Sequence, residues 1–394
     1  MVIGVAVAIA QLAFFKYFNF FSQSIGELLG NDFVTLNLIA PLGISFYSFS
    51  AIGYLVDVYR GKYTANSNFI DVALYISFFT KLICGPIVKP EAFFSQLDRN
   101  HSVSLKNLEK GIQIVFVGIF KKMVLADNLA VFVDNVFGAP QAFNGITVFL
   151  AMISYSLQIY FDFSGYSDLS IGFSRILGFD FDKNFNLPYA SLNPTEFWKR
   201  WHISLSQWLQ EYLYISLGGN RKGELRKNIN LLLTMLIGGL WHGANTTFIV
   251  WGGINGVALV VHKLFAKSYQ KTNICKKSSL SSLISGVLCF LFVTVTWVFF
   301  RADSFNNAKE MFFGLVQTQG IRQIYSWSFF AIAIAILEIV IAVLKKQKNQ
   351  GKISYEYITL DLSKISGLTI FFIFVGLTVL LAYVGNTAFI YGNF

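Results

Sequence analysis

Two histidines and a short series of acid and amide side chains sit where a lipid-embedded chain would not ordinarily place them. Ile237-Gly-Gly-Leu-Trp-His-Gly-Ala244 puts His242 in an apolar helix, with Gly239 and Gly243 as a small-xxx-small pair. Such a pair lets a neighbouring backbone approach closely, so His242 faces protein and not lipid. Counted from Asn228, roughly fourteen residues at ~1.5 Å rise put His242 about 21 Å into the membrane, past its midplane. An imidazole in a low-dielectric site stays uncharged and is a competent general base, able to take the proton from a hydroxyl whose oxygen attacks an acyl thioester. A packing histidine with one satisfied nitrogen is the plain alternative. His202, in Trp201-His-Ile-Ser204, lies on an amphipathic stretch, where snorkelling or capping competes with a chemical role. Gln158 and Asp162 share a helix face at four-residue spacing, and Asp168 follows six positions later. They form either a polar chamber or a hydrogen-bonded seam between helices. His101 and His262 read as solvated loop residues.

Other chemistries find little support. The chain has no HExxH, no carboxylate–histidine cluster at ligand spacing, and only Cys84, Cys275 and Cys289, which lack paired spacing, so no metal is expected. A GxSxG elbow, a P-loop and GxGxxG are missing as well.

The elements that must position these residues are membrane helices. Of 394 residues, 55% are hydrophobic and only 13% charged, against about 25% charged in soluble domains. The expected fold is all-α: a polytopic integral membrane bundle of about ten spans, near 1–21, 34–56, 69–88, 111–137, 143–172, 229–245, 247–263, 280–300, 324–344 and 366–385. The apolar runs are too long for the ~10-residue alternating strands of a barrel. The first run has neither a basic leader nor a small-residue cleavage site and reads as a span. Lys263, Lys267, Lys271, Lys276 and Lys277 in one loop, and Lys345, Lys346, Lys348 and Lys352 in another, mark the cytoplasmic side. Arg221, Lys222, Arg226 and Lys227 join them if 229–245 and 247–263 form a hairpin, which leaves loop 301–323 and Phe394 outside. Lys121, Lys122 and Asp127 interrupt an apolar stretch, and there the rule fails.

The net charge of +10 suits loops facing anionic lipid; the basic residues are too scattered for nucleic acid. No internal repeat divides the chain, so residues 1–394 read as one membrane domain. Its longest polar insertion, 176–228, carries Phe197, Trp198, Trp201, Leu205, Trp208, Leu209, Tyr212 and Leu213 at helical spacing. Pro194-Thr-Glu196 starts that helix and Gly218-Gly219 stops it, as suits an interfacial or re-entrant segment at the cytoplasmic face.

YSLQIYFDFSGYSDLSIG (155–172), NPTEFWKRWHISLSQWLQEYLYISLGGNR (193–221) and GGLWHGA (238–244) together resemble the membrane-bound O-acyltransferase superfamily, in particular its alginate and peptidoglycan O-acetyltransferase branch. PLGISFYSFSAIGYLVDVYRG (41–61), GPIV (85–88), DNLAVFVD (127–134), WVFFRADSF (297–305) and FIYGNF (389–394) extend the likeness over nearly the whole chain. The resemblance implies a plasma (inner) membrane enzyme that uses no bound cofactor and takes acetyl from a cytoplasmic thioester, acetyl-CoA. The acetyl group would pass across the bilayer toward a polysaccharide, with an esterase-like periplasmic or extracellular relay protein as partner. It places the superfamily histidine on His242 and the branch's second one on His202. Lys199, Arg200 and Arg221 would then meet the donor's phosphates, unless they serve only as positive-inside residues. Members usually carry one or two more N-terminal spans than the segment opening around Ala13-Phe-Phe-Lys-Tyr17 supplies. D-alanyl transfer toward teichoic acid is the rival within the family. A transporter or flippase using Asp162, Asp168 and His242, or a non-catalytic scaffold, are the rivals outside it.

Overall fold

The computed structural model describes residues 1–30, 35–98, 104–270, 279–345, 354–385, 387 and 390. Lys271, Lys276, Lys277, Lys346, Lys348, Lys352, Cys275 and His101 therefore lie outside the described residues, as does all of 389–394 except Ile390. The described residues form helices and connecting loops with no strand, apart from one isolated bridge between Phe143 and Ile321.

The chain opens with α1 (Val2–Leu29), which packs on α2 (Ile44–Tyr59). Three short helices follow, α3 (Phe69–Ser77), α4 (Phe79–Leu82) and α5 (Pro90–Leu97). Next, α6 (Leu105–Ile119) runs through a π-helical turn, Phe120–Ala126, straight into α7 (Asp127–Gly138). At the centre stands α8 (Gly145–Ile176), whose start is capped by the Asn144 side chain accepting from the Thr147 N–H at 3.0 Å. Of the most apolar stretch of α8, 83% is buried, against 6% for α1, so the first helix is peripheral and the eighth is the axis. Glycines make that axis possible. A Cβ on Gly118 would stand 2.7 Å from the Gly165 carbonyl oxygen, and one on Gly111 2.7 Å from that of Gly172, so α6 and α8 meet backbone to backbone. Close packing of this kind holds helices together in lipid, where no hydrophobic force between them exists.

The insertion 176–228 folds as α9 (Pro194–Arg200), α10 (Ile203–Trp208) and a second π-helical turn, Leu209–Tyr214. A hairpin of α11 (Gly223–His242) and α12 (Thr246–Gln270) comes next, followed by α13 (Ser279–Arg301), α14 (Phe305–Gly314), α15 (Ser326–Leu344) and α16 (Ile365–Leu381).

The structure changes the bounds of several of the ten stretches. Five described helices are long and apolar enough to cross a membrane, within α1, α8, α12, α13 and α15, and α16 is a shorter apolar helix. Stretch 34–56 becomes helical only from Ile44, and 69–88 breaks at Phe78, whose ψ of 111° lies outside the helical region. The interrupted stretch 111–137 is helical throughout because its charges are paired inside the bundle. Lys121 meets Asp168 at 2.9 Å and Glu338 at 3.7 Å, while Lys122 meets Asp162 at 2.6 Å and Asp127 at 2.7 Å.

Candidate active site

His242 is the last residue of α11, and extended backbone at Gly243 ends the helix. The hairpin closes tightly beside it: a Cβ on Gly239 would collide with the Phe248 carbonyl and stand 3.1 Å from the Gly252 Cα of α12. His242 is 4% exposed and faces protein as expected, but Gly243 lies past the helix end, so the two glycines do not share a helix face and Gly239 makes the close approach to α12. Its imidazole is boxed by rings, with centroids of Trp241 at 4.8 Å, Trp251 at 5.2 Å and Phe300 at 5.0 Å. A cavity of about 370 Å³ reaches it between the α9–α10 segment and the α11–α12 hairpin. Trp198, Leu205, Met235, Gly238 and Trp251 line its length, and Lys199, Gln210, Tyr214 and Lys263 are among its polar residues. A second hollow of about 350 Å³ adjoins it at Thr195 and Lys263 and adds His262 and the ion pair of Lys227 with Glu224, 3.0 Å apart. The charges of Lys199 and Lys227 both act on Lys263, so three ammonium groups gather at this end of the bundle.

The helix predicted to run on from Pro194 does start there, with the Asn193 side chain accepting from the Glu196 N–H at 2.9 Å. Its stop is also where expected, at Gly218 and Gly219 with φ of 106° and 56°. Between them, however, it breaks at His202, whose φ of 41° and ψ of 59° fall in the left-handed region. A non-glycine residue there costs about 1–3 kcal/mol and must be held by its surroundings. Asn184 does so. Its Oδ1 accepts from the Ser204 N–H at 3.2 Å and the Ser204 hydroxyl at 2.9 Å, and stands 3.2 Å from His202 Nδ1. An oxygen that only accepts requires Nδ1 to carry the proton, which leaves the lone pair on Nε2. That Nε2 is buried with no hydrogen-bond partner among the described residues. His202 does not line the cavity. A tryptophan ladder links the two histidines instead: Trp201 lies 4.9 Å from Trp297, Trp297 stacks on Trp251 at 5.6 Å, and Trp251 abuts His242.

The other residues singled out in the sequence part company here. Asp162 pairs with Lys122 and accepts from the Ile390 N–H at 3.0 Å. Asp168 pairs with Lys121 and accepts from the Tyr357 hydroxyl at 2.6 Å. Neither these nor Gln158, buried on α8, lines the cavity that reaches His242. Among the three cations, only Lys199 lines it. Arg200 donates to Glu196 Oε1 at 2.8 and 3.0 Å and to the Asn186 carbonyl at 3.0 Å, and Arg221 is exposed on the turn before α11. Lys263, read from sequence only as a side-marking charge, also lines the cavity, whereas Lys227 lies in the adjoining hollow and donates to Glu224 Oε2 at 3.0 Å. His262 is not a solvated loop residue: it sits on α12 with its Nδ1 2.8 Å from the Thr195 hydroxyl, tying the hairpin to α9.

The arrangement suits one kind of ligand. Two lysines, a largely apolar lining and an imidazole in one cavity fit an elongated molecule that is anionic at one end and reactive at the other.

A family model described as "MBOAT, membrane-bound O-acyltransferase family" matches residues 6–304. The peptidoglycan O-acetyltransferase of Helicobacter pylori is 39% identical over 347 residues, covering 82% of this chain and 65% of that protein. The probable alginate O-acetylase AlgI of Pseudomonas aeruginosa is 41% identical over 317 residues, covering 79% of this chain and 59% of the relative. The teichoic acid D-alanyltransferase of Bacillus subtilis is 26% identical over 280 residues, 69% of this chain and 71% of its own length. The chain thus spans somewhat less than two thirds of the length of the two O-acetyl-transfer relatives.

Proposed function

Because the chain belongs to the membrane-bound O-acyltransferase family, we propose that it transfers an acetyl group from a cytoplasmic thioester, acetyl-CoA, to a hydroxyl on the far side of the plasma membrane. The single observation that carries this reading is the cavity with Lys199 and Lys263 among its lining residues and His242 at its head. The donor's phosphates sit between Lys199 and Lys263, and its arm lies along Trp198, Leu205 and Trp251. His242 takes the proton as the acceptor oxygen attacks the thioester carbonyl. Collapse of the tetrahedral intermediate breaks the carbon–sulfur bond, and the departing thiolate recovers that proton as the thiol. His202, on the far side of the tryptophan ladder, supports the wall against which the donor rests.

The final acceptor is a cell-envelope polysaccharide, peptidoglycan or alginate, reached through an esterase-like relay protein outside the membrane. Acetyl is favoured over D-alanyl because the relatives named for O-acetyl transfer match at 39–42% identity and the D-alanyltransferases at 26–27%. Mass analysis of the envelope polymers from cells with and without the chain tests this. Loss of polymer O-acetyl esters supports the reading, whereas unchanged acetylation with loss of D-alanyl esters replaces it by the D-alanyl one.

A further inference from the structure

Lys16 and Tyr17, the polar pair in the apolar opening of the chain, have no part in the reaction above. They belong to the peripheral α1, yet both turn inward to the end of α11. Lys16 Nζ donates to the Trp241 carbonyl at 2.8 Å and to the Ser45 hydroxyl at 3.2 Å, and the Tyr17 hydroxyl donates to the Leu240 carbonyl at 2.8 Å. These are the two carbonyls immediately before His242. The last four carbonyls of a helix have no partner within it, and at membrane depth water does not supply one. Within the hairpin, the Gly243 N–H reaches only the Leu240 carbonyl, at 3.2 Å. A cation is also the charge that the negative end of a helix favours. No carboxylate among the described residues lies within ion-pair distance of Lys16. Its ammonium instead stands 5.5 Å from the centre of the Trp241 ring, which Phe46 and Phe49 of α2 flank on other sides.

We propose that Lys16 and Tyr17 are positioning residues for His242. By closing the Trp241 and Leu240 carbonyls from a separate helix, they hold the last turn of α11, and the imidazole on it, in register with the head of the cavity. The inference rests on the reading of His242 as the base. Neither residue lines the cavity, so their loss moves the imidazole without touching the donor's contacts. A misplacement on the order of 1 Å costs up to about 100-fold in rate.

The test is the rate of CoA-thiol release from acetyl-CoA by inverted membrane vesicles from cells expressing each variant of the chain, at matched amounts of folded, monodisperse protein. Lys16→Met is expected to lower kcat roughly 10- to 100-fold, with the KM for acetyl-CoA within about twofold of the parent. Lys16→Arg, which keeps donor and charge, should recover most of that loss. Tyr17→Phe removes one hydroxyl, folds normally and should lower kcat by a smaller factor at unchanged KM. Parental kcat in both Lys16→Met and Tyr17→Phe, with His242→Ala inactive, overturns the positioning role and leaves the base assignment standing. A raised KM at parental kcat overturns it as well. Full activity in His242→Ala refutes the base itself and the positioning role with it.

Discussion

Along α8, buried charge is answered by charge: Lys121 lies between Asp168 and Glu338, and Lys122 between Asp162 and Asp127. At the C-terminal end of α11 the buried ionisable group is surrounded by rings, with Trp241, Trp251 and Phe300 around His242 and a cavity leading up to it. Both regions put costly groups out of water, and depth alone does not separate them. What separates them is access, since only His242 lines a cavity. An ion pair closed inside the bundle faces no substrate, and its removal is felt as instability. A histidine at the end of an open shaft still has chemistry to give. Of the intramembrane polar residues in the sequence, Asp162 and Asp168 therefore sit in closed ion pairs, and His242 alone of the three lines a cavity.

The sharpest way to break this division is at its two extremes. His242→Ala should abolish acetyl transfer, by ~10²–10⁴-fold or more for loss of a general base, while the protein accumulates normally. Quantitative polymer acetylation beside immunoblotting checks this, and a large drop in protein level would move His242 to the structural class. Lys122→Met should do the reverse, leaving Asp162 as an unpaired buried carboxylate at a cost of about 3–5 kcal/mol. Thermal melting in detergent would report the loss, and replacing Asp162 by Leu in the same protein should restore much of it. If Lys122→Met melted like the parent but lost activity, Asp162 would have to be returned to the chemistry.

Smaller effects sharpen the picture. Gly118→Val forces α6 away from α8 and should cost about 1–3 kcal/mol as overpacking, again read by melting with activity per folded molecule retained. Lys263→Ala removes one ammonium from the mouth and should raise the KM for acetyl-CoA several-fold, equivalent to roughly 1 kcal/mol of donor binding. That increase should shrink at high salt. Arg221→Ala should change neither number, because that side chain is exposed and away from the cavity lining. An equal KM effect from Arg221 and Lys263 would mean that general surface charge, and not the built mouth, recruits the donor.

Much of this was legible in the sequence. The burial of His242 was legible from the small residues around it, although Gly239 lies on its own helix and Gly243 just past the helix end. The starts and stops of the 193–221 segment are likewise local, set by Asn193, Pro194 and the glycine pair. The break at His202 was not legible. Apolar periodicity runs straight through Trp201 and Leu205, and the side chain that holds the left-handed turn is that of Asn184, eighteen residues away. The tie between His262 and Thr195 spans sixty-seven residues and was hidden for the same reason.

Sequence alone determined that this chain is helical and membrane-embedded, which family it resembles, and that His242 lies against protein, because composition, period and spacing act over one or two turns. Tertiary structure decided which buried charges were already paired. Lys121 and Asp168 are forty-seven residues apart, and only the glycine-tight contact of α6 with α8 brings them to 2.9 Å. It likewise decided which cations line the cavity, since Lys199 and Lys263 come from two helices. The physical reason is range: local steric and hydropathic preferences are written residue by residue, whereas electrostatic partnership belongs to whichever side chains packing makes neighbours.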